Sequence, residues 1–480
     1  MRPQLKKTIG GLGFFCLAFG SMIGVGWITT LDEWLNNAGP VGAMLAFGAG
    51  GLLMVLIGLC YAELTPMLPV TGGEVAYAYK AHGTGISFLV GWFLLIGYLS
   101  VSGFEAVSVG MVLAYLLPEL DAWPLYEIQG WTVYLPHLLL GVGLTLMIAW
   151  VNHRGVAVAV RLQIILTCLL VGCTAIFVLA GILAGSSDNL KPVLGTGRHD
   201  GASSVWHGLL AVFVTVPFWF VGFDTIPQAA EERSDGQPLR RLGMYIMLSI
   251  VAAVLFYCLV IWAASAAAPW QETVQEKLPT AAAFELVLEN PLLAKLVLLA
   301  GLIGLLTSWN GFFLAGTRVL FALGRGRIID QRFGHVHPQF GTPTRAILLS
   351  GLVTALAVCL GRGALLAFVE VGSFCICVAF LGVALSLIRL RRTAPDIDRP
   401  YRVPAGRLVA GAAATGSLLI LLAQVVPASP AALNWPLDWS ILLGLSLCGL
   451  FFWIAGRRQR AEIDEQDRAQ LILGDDPLPN

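Results

Sequence analysis

The chain of 480 residues is 57% hydrophobic and 12% charged, and its formal net charge at pH 7 is zero. Soluble domains carry about 25% charged residues, so this composition excludes an ordinary soluble protein and predicts a polytopic membrane protein. The balanced charge gives no reason to expect a nucleic-acid partner. The nine cysteines are scattered, mostly inside apolar runs, and Cys375 and Cys377 lack metal-ligand spacing. We therefore expect no disulfide and no metal site.

Twelve apolar segments are long enough to be transmembrane helices, given that a span needs about 20 residues. They lie at about residues 10–36, 41–65, 84–117, 134–152, 156–184, 206–230, 242–268, 292–323, 344–361, 364–390, 407–427 and 437–456, and the ninth is short. This spacing predicts an all-α polytopic membrane protein with twelve transmembrane helices. Residues 1–9 then form a short cytoplasmic N-terminal segment. Residues 457–480 form a charged cytoplasmic tail, either a short solvated helix or a disordered segment.

Lysine and arginine are distributed unevenly between the two sets of predicted loops. With the N-terminus inside, only five of the 29 fall outside, and these are Lys191, Arg198, Lys277, Lys295 and Arg362. Because positive residues collect on the cytoplasmic side, both termini are predicted to be cytoplasmic. We predict a multi-pass protein surrounded by the lipid of a cell membrane, of the bacterial inner-membrane type. Arg318 and Arg325 are interpreted first as cytoplasmic anchors, and a gate ion pair with Glu231 or Glu232 is the alternative.

The first apolar segment contains an unusual stretch, Cys16–Thr30, which carries Gly20, Gly24 and Gly26. Each glycine destabilises a helix interior by roughly 1 kcal/mol relative to alanine, so three of them predict an interruption of the helix. Interrupted backbone is tolerated at membrane depth only where it is buried in protein or lines a cavity. The N–H groups that begin the second half-helix then suit an anion such as a carboxylate.

A second interrupted stretch is Val214–Glu232, where Pro217, Gly222, Asp224 and Pro227 break an apolar run. Paired broken helices in corresponding positions of two halves indicate the substrate site of a transporter. With breaks in the first and sixth spans, residues 10–184 and 206–390 would be two five-span halves of opposite orientation. The spans within residues 407–456 would follow them.

Glu105, Glu370 and Asp224 lie inside predicted spans, which makes them functional candidates. Glu105 and Glu370 are candidates for proton coupling or amine binding, or for a structural pairing with Arg318 or Arg161. Asp224 is a candidate either for binding a cation or for holding a helix end.

Five segments resemble the permeases of the amino acid–polyamine–organocation (APC) superfamily, in the same order. They are Gly20–Gly26 (GSMIGVG), Pro69–Tyr77 (PVTGGEVAY), Phe218–Asp224 (FWFVGFD) with Glu231 and Glu232, Gly316–Gly326 (GTRVLFALGRG) and Arg399–Pro404 (RPYRVP). The resemblance covers about residues 10–405. It implies a five-plus-five inverted-repeat (LeuT-like) fold with broken helices 1 and 6 and two extra C-terminal helices. It also implies secondary transport of an amino acid or related amine by alternating access, through symport or exchange, usually coupled to protons.

The resemblance also implies which residues bind the substrate. The carboxylate would meet the backbone of Ser21, Met22, Ile23, Gly24, Val25 and Gly26, and the amine would meet Val221, Gly222 and Asp224. Phe218 would cover the bound substrate. The alternatives are that the glycines only allow close helix packing and that Phe218 is a core aromatic residue.

Residues of spans five and eight bear on the identity of the coupling ion. Thr307 and Ser308 lie where the wider fold places hydroxyls beside a cation site, or they bond back to their own helix. Some family members carry a lysine in span five, but here alignment on Gln163 and Thr167 places Leu170 at that position. A lysine-based proton mechanism is therefore in doubt, and sodium coupling or exchange stays open beside proton coupling.

Other functions remain as alternatives. An amine or polyamine carrier is the runner-up, and a non-transporting sensor or a channel ranks below it. No catalytic triad, phosphate loop or HExxH motif occurs, so we predict neither an enzyme nor a cofactor. The oligomeric state is left as monomer or homodimer.

Overall fold

A computed structural model of the chain describes residues 3, 5–195, 204–276, 278–288, 291–429 and 431–474. Within these residues, eleven helices are long and apolar enough to cross a membrane. They are Gly11–Thr29, Leu31–Met67, Thr84–Leu116, Leu135–Arg154, Val156–Ala184, Val205–Gln228, Arg240–Ala267, Lys295–Arg325, Arg362–Thr393, Gly406–Val425 and Leu437–Ala455. A shorter apolar helix, Thr344–Val358, occupies the predicted ninth position. We number these segments helices 1 to 12 in chain order, with Thr344–Val358 as helix 9.

Helix 9 explains why the count of twelve spans stays a prediction. Its 15 residues rise by about 1.5 Å each and therefore reach about 22 Å, less than the roughly 30 Å of a bilayer core.

Five lysine and arginine residues were predicted to lie on the extracellular side. Two of them, Arg198 and Lys277, are not among the residues that the structure describes, and neither is Arg2 at the N-terminus.

The helices form an inner group and an outer group. In the most apolar 18-residue stretch of helix 1, 83% of the residues are buried inside the protein, whereas in that of helix 12 only 17% are buried. Large apolar side chains such as Leu146, Leu352 and Phe451 point outward and are exposed. Exposed apolar surface on this scale indicates a surrounding of lipid, and the chain is a multi-pass membrane protein.

Both predicted interruptions are present. Helix 1 consists of Gly11–Met22 and Gly26–Thr29, and the intervening Ile23 has a non-helical backbone with ψ of 88°. Helix 6 consists of Val205–Phe213, Val216–Phe220 and Thr225–Gln228. Its main break includes Gly222, whose φ of +135° is a conformation that only glycine adopts without strain.

A β-hairpin that the sequence did not predict connects helix 3 to helix 4. Strands β1 (Pro124–Ile128) and β2 (Trp131–Tyr134) pair antiparallel, with Ile128 opposite Trp131. Gln129 and Gly130 form the two-residue turn, both with positive φ. This turn geometry matches the right-handed twist of paired strands.

Short helices complete the description of the fold. Gly73–His82 follows helix 2, Trp270–Thr273 and Pro279–Leu288 follow helix 7, and helix 8 extends back to Pro291. Arg457–Ala461 and Glu465–Leu473 follow helix 12.

The tail helix Glu465–Leu473 is docked and not solvated. Tyr79 donates a hydrogen bond of 2.7 Å to Oε1 of Glu465, and Ala469, Ile472 and Leu473 are buried. These three apolar residues share one helical face, which contacts the protein. The prediction of a solvated or disordered tail is therefore wrong for this helix, and residues 475–480 lie outside the described part.

Candidate functional site

The two helix interruptions lie against each other at the centre of the protein. A Cβ atom built on Gly222 would lie 2.7 Å from the backbone N of Met22, so the two main chains touch. The hydroxyl of Tyr257 in helix 7 donates to the carbonyl oxygens of Met22 at 2.8 Å and of Trp219 at 3.2 Å. One buried side chain thus ties the break of helix 1 to the break of helix 6.

Glu105 of helix 3 faces the interruption of helix 1. A Cβ atom on Gly24 would overlap Oε1 of Glu105 and would lie 3.1 Å from Oγ of Ser308. The carboxylate interacts with the Ser308 hydroxyl and the Val25 backbone. Glu105 is 2% exposed. The structure therefore brings two predicted coupling residues, Glu105 and Ser308, to the predicted substrate site.

A small cavity lies between these groups. Its lining includes the predicted residues Ser21, Met22, Gly24, Gly26, Glu105, Phe218 and Ser308, together with Val101, Phe104, Trp219, Tyr257 and Phe312. Its volume is about 10 Å³, which is room for about one water molecule. Side chains must move before an amino acid can enter this space.

Phe218 is one of the side chains that fill this space. Its ring meets that of Phe104 edge to face, with centroids 5.7 Å apart, and meets Trp219 at 5.1 Å. A Cβ on Gly372 of helix 10 would lie 3.0 Å from the Phe218 ring. Phe218 thus stands between the broken helices and helix 10, which is a suitable position for a residue that covers a ligand.

Asp224 does not line the cavity. Its Oδ1 accepts a hydrogen bond of 2.8 Å from the backbone N–H of Gly222, and Tyr98 donates one of 3.3 Å to its backbone oxygen. Thr225 bonds the Gly222 carbonyl at 2.6 Å. These contacts shape the break in helix 6, and of the two roles considered for Asp224 they favour holding a helix end over binding a cation.

Thr307 lies beside helix 1, as the resemblance implies. Its hydroxyl donates to its own helix at Gly304 O, over 2.7 Å, and lies 3.5 Å from the Ile23 oxygen. The shorter contact is the back-bonding that Thr and Ser commonly make within membrane helices. Thr307 therefore faces the interruption while its hydrogen is donated within helix 8.

A buried chain of amides adjoins Thr307. Gln163 of helix 5 donates to the carbonyls of Thr307 at 3.0 Å and Cys16 at 3.3 Å. Asn310 donates to the Gln163 oxygen at 2.8 Å and accepts from Asn152 at 3.1 Å. A neutral amide thus satisfies carbonyl oxygens of helices 1 and 8 that face each other.

Glu370 is not brought to the site. It lies in the first turns of helix 10, where Asn434 donates to its carboxylate over 2.7 Å. Asp438 lies close to it. Arg318, one of the two arginines offered as an alternative structural partner for Glu370, binds a different carboxylate, that of Glu232.

Ion pairs close the side of the protein where the N-terminus lies. Arg318 binds Glu232 through two hydrogen bonds of 2.9 and 3.1 Å, and both side chains are at most 1% exposed. Arg325 binds Glu231 at 2.9 Å, and Thr71 donates to the same carboxylate at 3.1 Å. The arrangement favours the gate ion pairs over simple cytoplasmic anchors.

The sequence interpretation missed Tyr257 and Asn310 as members of the site. Each is a polar residue in a mostly apolar helix, and that could have marked them. A tyrosine or asparagine in a span does not reveal its partners, however, because those partners lie on distant segments.

The sequence is similar to those of known membrane transporters. The profile of the amino acid permease family matches residues 9–447. The methylthioribose transporter of Bacillus subtilis is 26% identical over 420 residues, covering 84% of this chain and 85% of that protein. The branched-chain amino acid permease BcaP of the same organism is 25% identical over 432 residues, covering 87% and 88%. The human cationic amino acid transporter 4 is 26% identical over 418 residues, covering 82% and 62%.

These relatives are transporters and not enzymes, so the prediction of a permease is confirmed. The match spans the broken helices, the carboxylate of Glu105 and the ion pairs on the N-terminal side. The chain belongs to the amino acid permease family of the APC superfamily.

Proposed function

We propose that this protein is a secondary active transporter that moves an amino acid across the cell membrane by alternating access. The contact between the two broken helices, around a cavity bordered by Glu105, is the observation that carries the proposal. Broken helices at the membrane midplane are how transporters of this architecture bind their substrates. Residues 10–184 and 206–390 would be the inverted repeats, and both termini would lie in the cytoplasm.

The backbone supplies the substrate contacts in this proposal. The N–H groups of Ser21–Gly26 hold the carboxylate at the start of the second half of helix 1, where the helix dipole favours negative charge. Carbonyl groups of the Val221–Asp224 segment receive the ammonium, and Phe218 covers the ligand. Neither Cys16–Thr30 nor Val214–Glu232 contains an arginine, so backbone donors alone hold the carboxylate.

Glu105 is our candidate for proton coupling. A substrate carboxylate bound beside Gly24 would lie next to the Glu105 carboxylate, and two like charges in low dielectric repel strongly. A proton on Glu105 removes this repulsion, so the proton and the substrate favour each other's binding by linkage. Symport follows when both cross together.

One further contact supports a proton over sodium. The carbonyls of Cys16 and Thr307 already accept hydrogen bonds from Gln163, so a cation is not needed to satisfy them. Because Leu170 supplies no amine, a proton would have to be carried by another group. Glu105 is the carboxyl group on the lining of the central cavity.

The polyamine alternative needs several carboxylates facing the cavity. Of Glu105, Asp224 and Glu370, only Glu105 lines it. A dication would therefore find one counter-charge, whereas a zwitterion finds one carboxylate and the free ends of two helices. The sealed N-terminal side likewise argues against a continuously open channel.

Uptake into proteoliposomes tests the proposal. Radiolabelled amino acids, putrescine and methylthioribose are compared with and without proton or sodium gradients. We expect saturable uptake of an amino acid driven by an inward proton gradient. Preference for putrescine or methylthioribose, or flux without saturation, would overturn the proposal.

A matched pair of glycine variants tests the location of the site. Gly222→Ala adds a Cβ in a strained backbone against Met22, so uptake should fall at least tenfold. Gly172→Ala is the control, because a Cβ at Gly172 of helix 5 meets nothing within 4 Å. Both variants are first confirmed to be monodisperse. If their uptake is then equal, the break of helix 6 is not part of the substrate site.

A further inference from the structure

A second and larger cavity lies on the hairpin side, opposite the N-terminus. Its volume is about 450 Å³, and the hairpin, the end of helix 3, the start of helix 4 and the start of helix 10 surround it. Apolar side chains such as Val107, Met111 and Leu138 form much of its wall. A concave, mostly apolar cavity with a few polar groups is typical of a small-molecule site.

Arg362 is the cationic group of this cavity. Its guanidinium lies over the ring of Trp131 with 3.8 Å to the ring centroid. Within the described residues it makes no hydrogen bond or close ion pair. Arginine has five N–H donors in a planar fork that matches a carboxylate. Stacking on Trp131 holds the guanidinium in place and leaves these donors available to a ligand.

Asp121 is the anionic group on the same lining. It lies 3.1 Å from Nε2 of His137, and its side chain is 35% exposed. The charges of Asp121 and of Asp32 act on Arg362, although neither carboxylate binds it directly. One cation and one anion therefore border the same space without neutralising each other. That arrangement matches a zwitterion, whose carboxylate would bind Arg362 and whose ammonium would bind Asp121.

The hairpin is built to hold Arg362 in position. A Cβ on Gly361 would lie 2.6 Å from Val133 of strand β2. A Cβ on Gly363 would lie 2.5 Å from the carbonyl oxygen of Ile128 in strand β1. The Tyr126 hydroxyl donates a hydrogen bond of 2.6 Å to Cys359 at the end of helix 9. The chain on both sides of Arg362 is therefore packed directly against the hairpin.

The outer cavity continues towards the central one along helix 3. Val101 and Phe104 line the central cavity, while Val107, Met111 and Ala114 line the outer one. These positions follow one another at steps of three and four, so they share one face of the helix. A molecule in the outer cavity lies on the path from the hairpin side to Glu105.

We propose that the outer cavity is a second binding site, for an α-amino acid with an apolar side chain, held by Arg362 and Asp121 on the way to the central site. The charges and walls of the cavity identify a zwitterion with an apolar portion. The choice of an amino acid among such molecules rests on the proposed function.

Equilibrium binding to the purified full-length chain tests the proposal separately from transport. Radiolabelled leucine is the probe, and the number of sites per chain and their Kd are measured. We expect two sites for the unaltered chain. Arg362→Gln should remove one site or raise its Kd at least tenfold, Arg362→Lys should restore part of the affinity, and Asp121→Asn should weaken the same site.

Two further variants separate the sites. Gly222→Ala should remove the central site and leave the site that depends on Arg362. Arg332→Gln is the control, since Arg332 is 72% exposed in the short turn Gln331–Gly334 between helices 8 and 9, and it should change neither site. Leucine binding at a site lost in Arg362→Gln would support the outer site even if uptake failed. Absence of leucine binding, or binding that Arg362→Gln leaves unchanged, would overturn it even if uptake succeeded.

Discussion

Glu105 and Gly24 are in direct contact, and a side chain of any size at Gly24 would overlap the Glu105 carboxylate. A carboxylate thus lies on the backbone segment that we propose holds the substrate's own carboxylate. An intramembrane acid is costly unless it has a partner or a function, and no cation contacts Glu105 within the described residues. The contact explains why substrate and proton binding would be linked in this protein.

Replacing Glu105 with glutamine should separate exchange from proton-driven uptake. Glutamine resembles the protonated acid in shape but carries no exchangeable charge, so accumulation driven by a proton gradient should fall at least tenfold. Exchange of internal for external substrate should persist. Uptake and counterflow in proteoliposomes at several pH values measure both.

Glu370→Gln is the matched control for this experiment. Glu370 bonds Asn434 away from the central cavity, so its variant should keep the pH dependence of the unaltered chain. If proton-driven accumulation survives in Glu105→Gln, Glu105 is not part of the coupling mechanism. If accumulation is lost in Glu370→Gln instead, Glu370 is the coupling residue.

Tyr257→Phe should destabilise the contact between the broken helices. The substitution removes the hydrogen bonds to Met22 and Trp219 and leaves buried carbonyl groups unsatisfied, at a cost of about 1–3 kcal/mol. Thermal unfolding in detergent measures the change. Tyr401→Phe is the control, because Tyr401 makes no side-chain hydrogen bond within the described residues. Equal stability of the two variants would contradict the bridging role.

The ion pair between Arg318 and Glu232 should behave as a coupled unit. Arg318→Met leaves a carboxylate buried without its partner, which typically costs about 3–5 kcal/mol. The double variant Arg318→Met/Glu232→Leu removes both charges and should recover most of that loss. Thermal unfolding of the two single variants and the double variant gives the coupling. A double variant as unstable as the sum of the singles would show that the pair is not coupled.

Much of the fold was predictable because its main signals are local in sequence. Glycines and prolines inside apolar segments marked the breaks near Gly24 and Gly222, and an acid in an apolar helix marked Glu105. The helical period does not show which neighbour a helix face meets, however. That is why Glu370 was grouped with Glu105 although its partner is Asn434.

Contacts between distant segments were the part that the sequence could not show. The donation from Gln163 to Cys16 joins residues 147 positions apart, and no local pattern specifies it. The hairpin was missed because its strands have only five and four residues and lie between two long apolar helices. The docked tail helix was missed because its short apolar face lies within a segment, residues 457–480, that is mostly charged and polar.

Glu74 should make the stability of the protein depend on pH. It lies in the short helix Gly73–His82, fully buried, where it accepts a hydrogen bond from Gln228. Burial, and next the nearby Asp224 carboxylate, raise the pKa of Glu74 well above its ordinary value. In the unfolded chain the group returns to a pKa of about 4.3. Below that value Glu74 is protonated in both states and costs nothing. As the pH rises from there towards the raised pKa, the unfolded state loses its proton first, so the folded state loses stability.

Glu74→Gln should remove this part of the pH dependence. The variant keeps a neutral group of similar shape beside Gln228, so it should gain stability relative to the unaltered chain as the pH rises from about 4.3. Melting temperatures in detergent between about pH 4.5 and 8 measure the difference. Glu119→Gln, at an exposed residue of the turn Pro118–Leu120, should follow the unaltered chain throughout. If the difference between Glu74→Gln and the unaltered chain were constant over this range, Glu74 would be ionised in the folded protein, and the buried carboxyl would need a cationic partner to explain its stability.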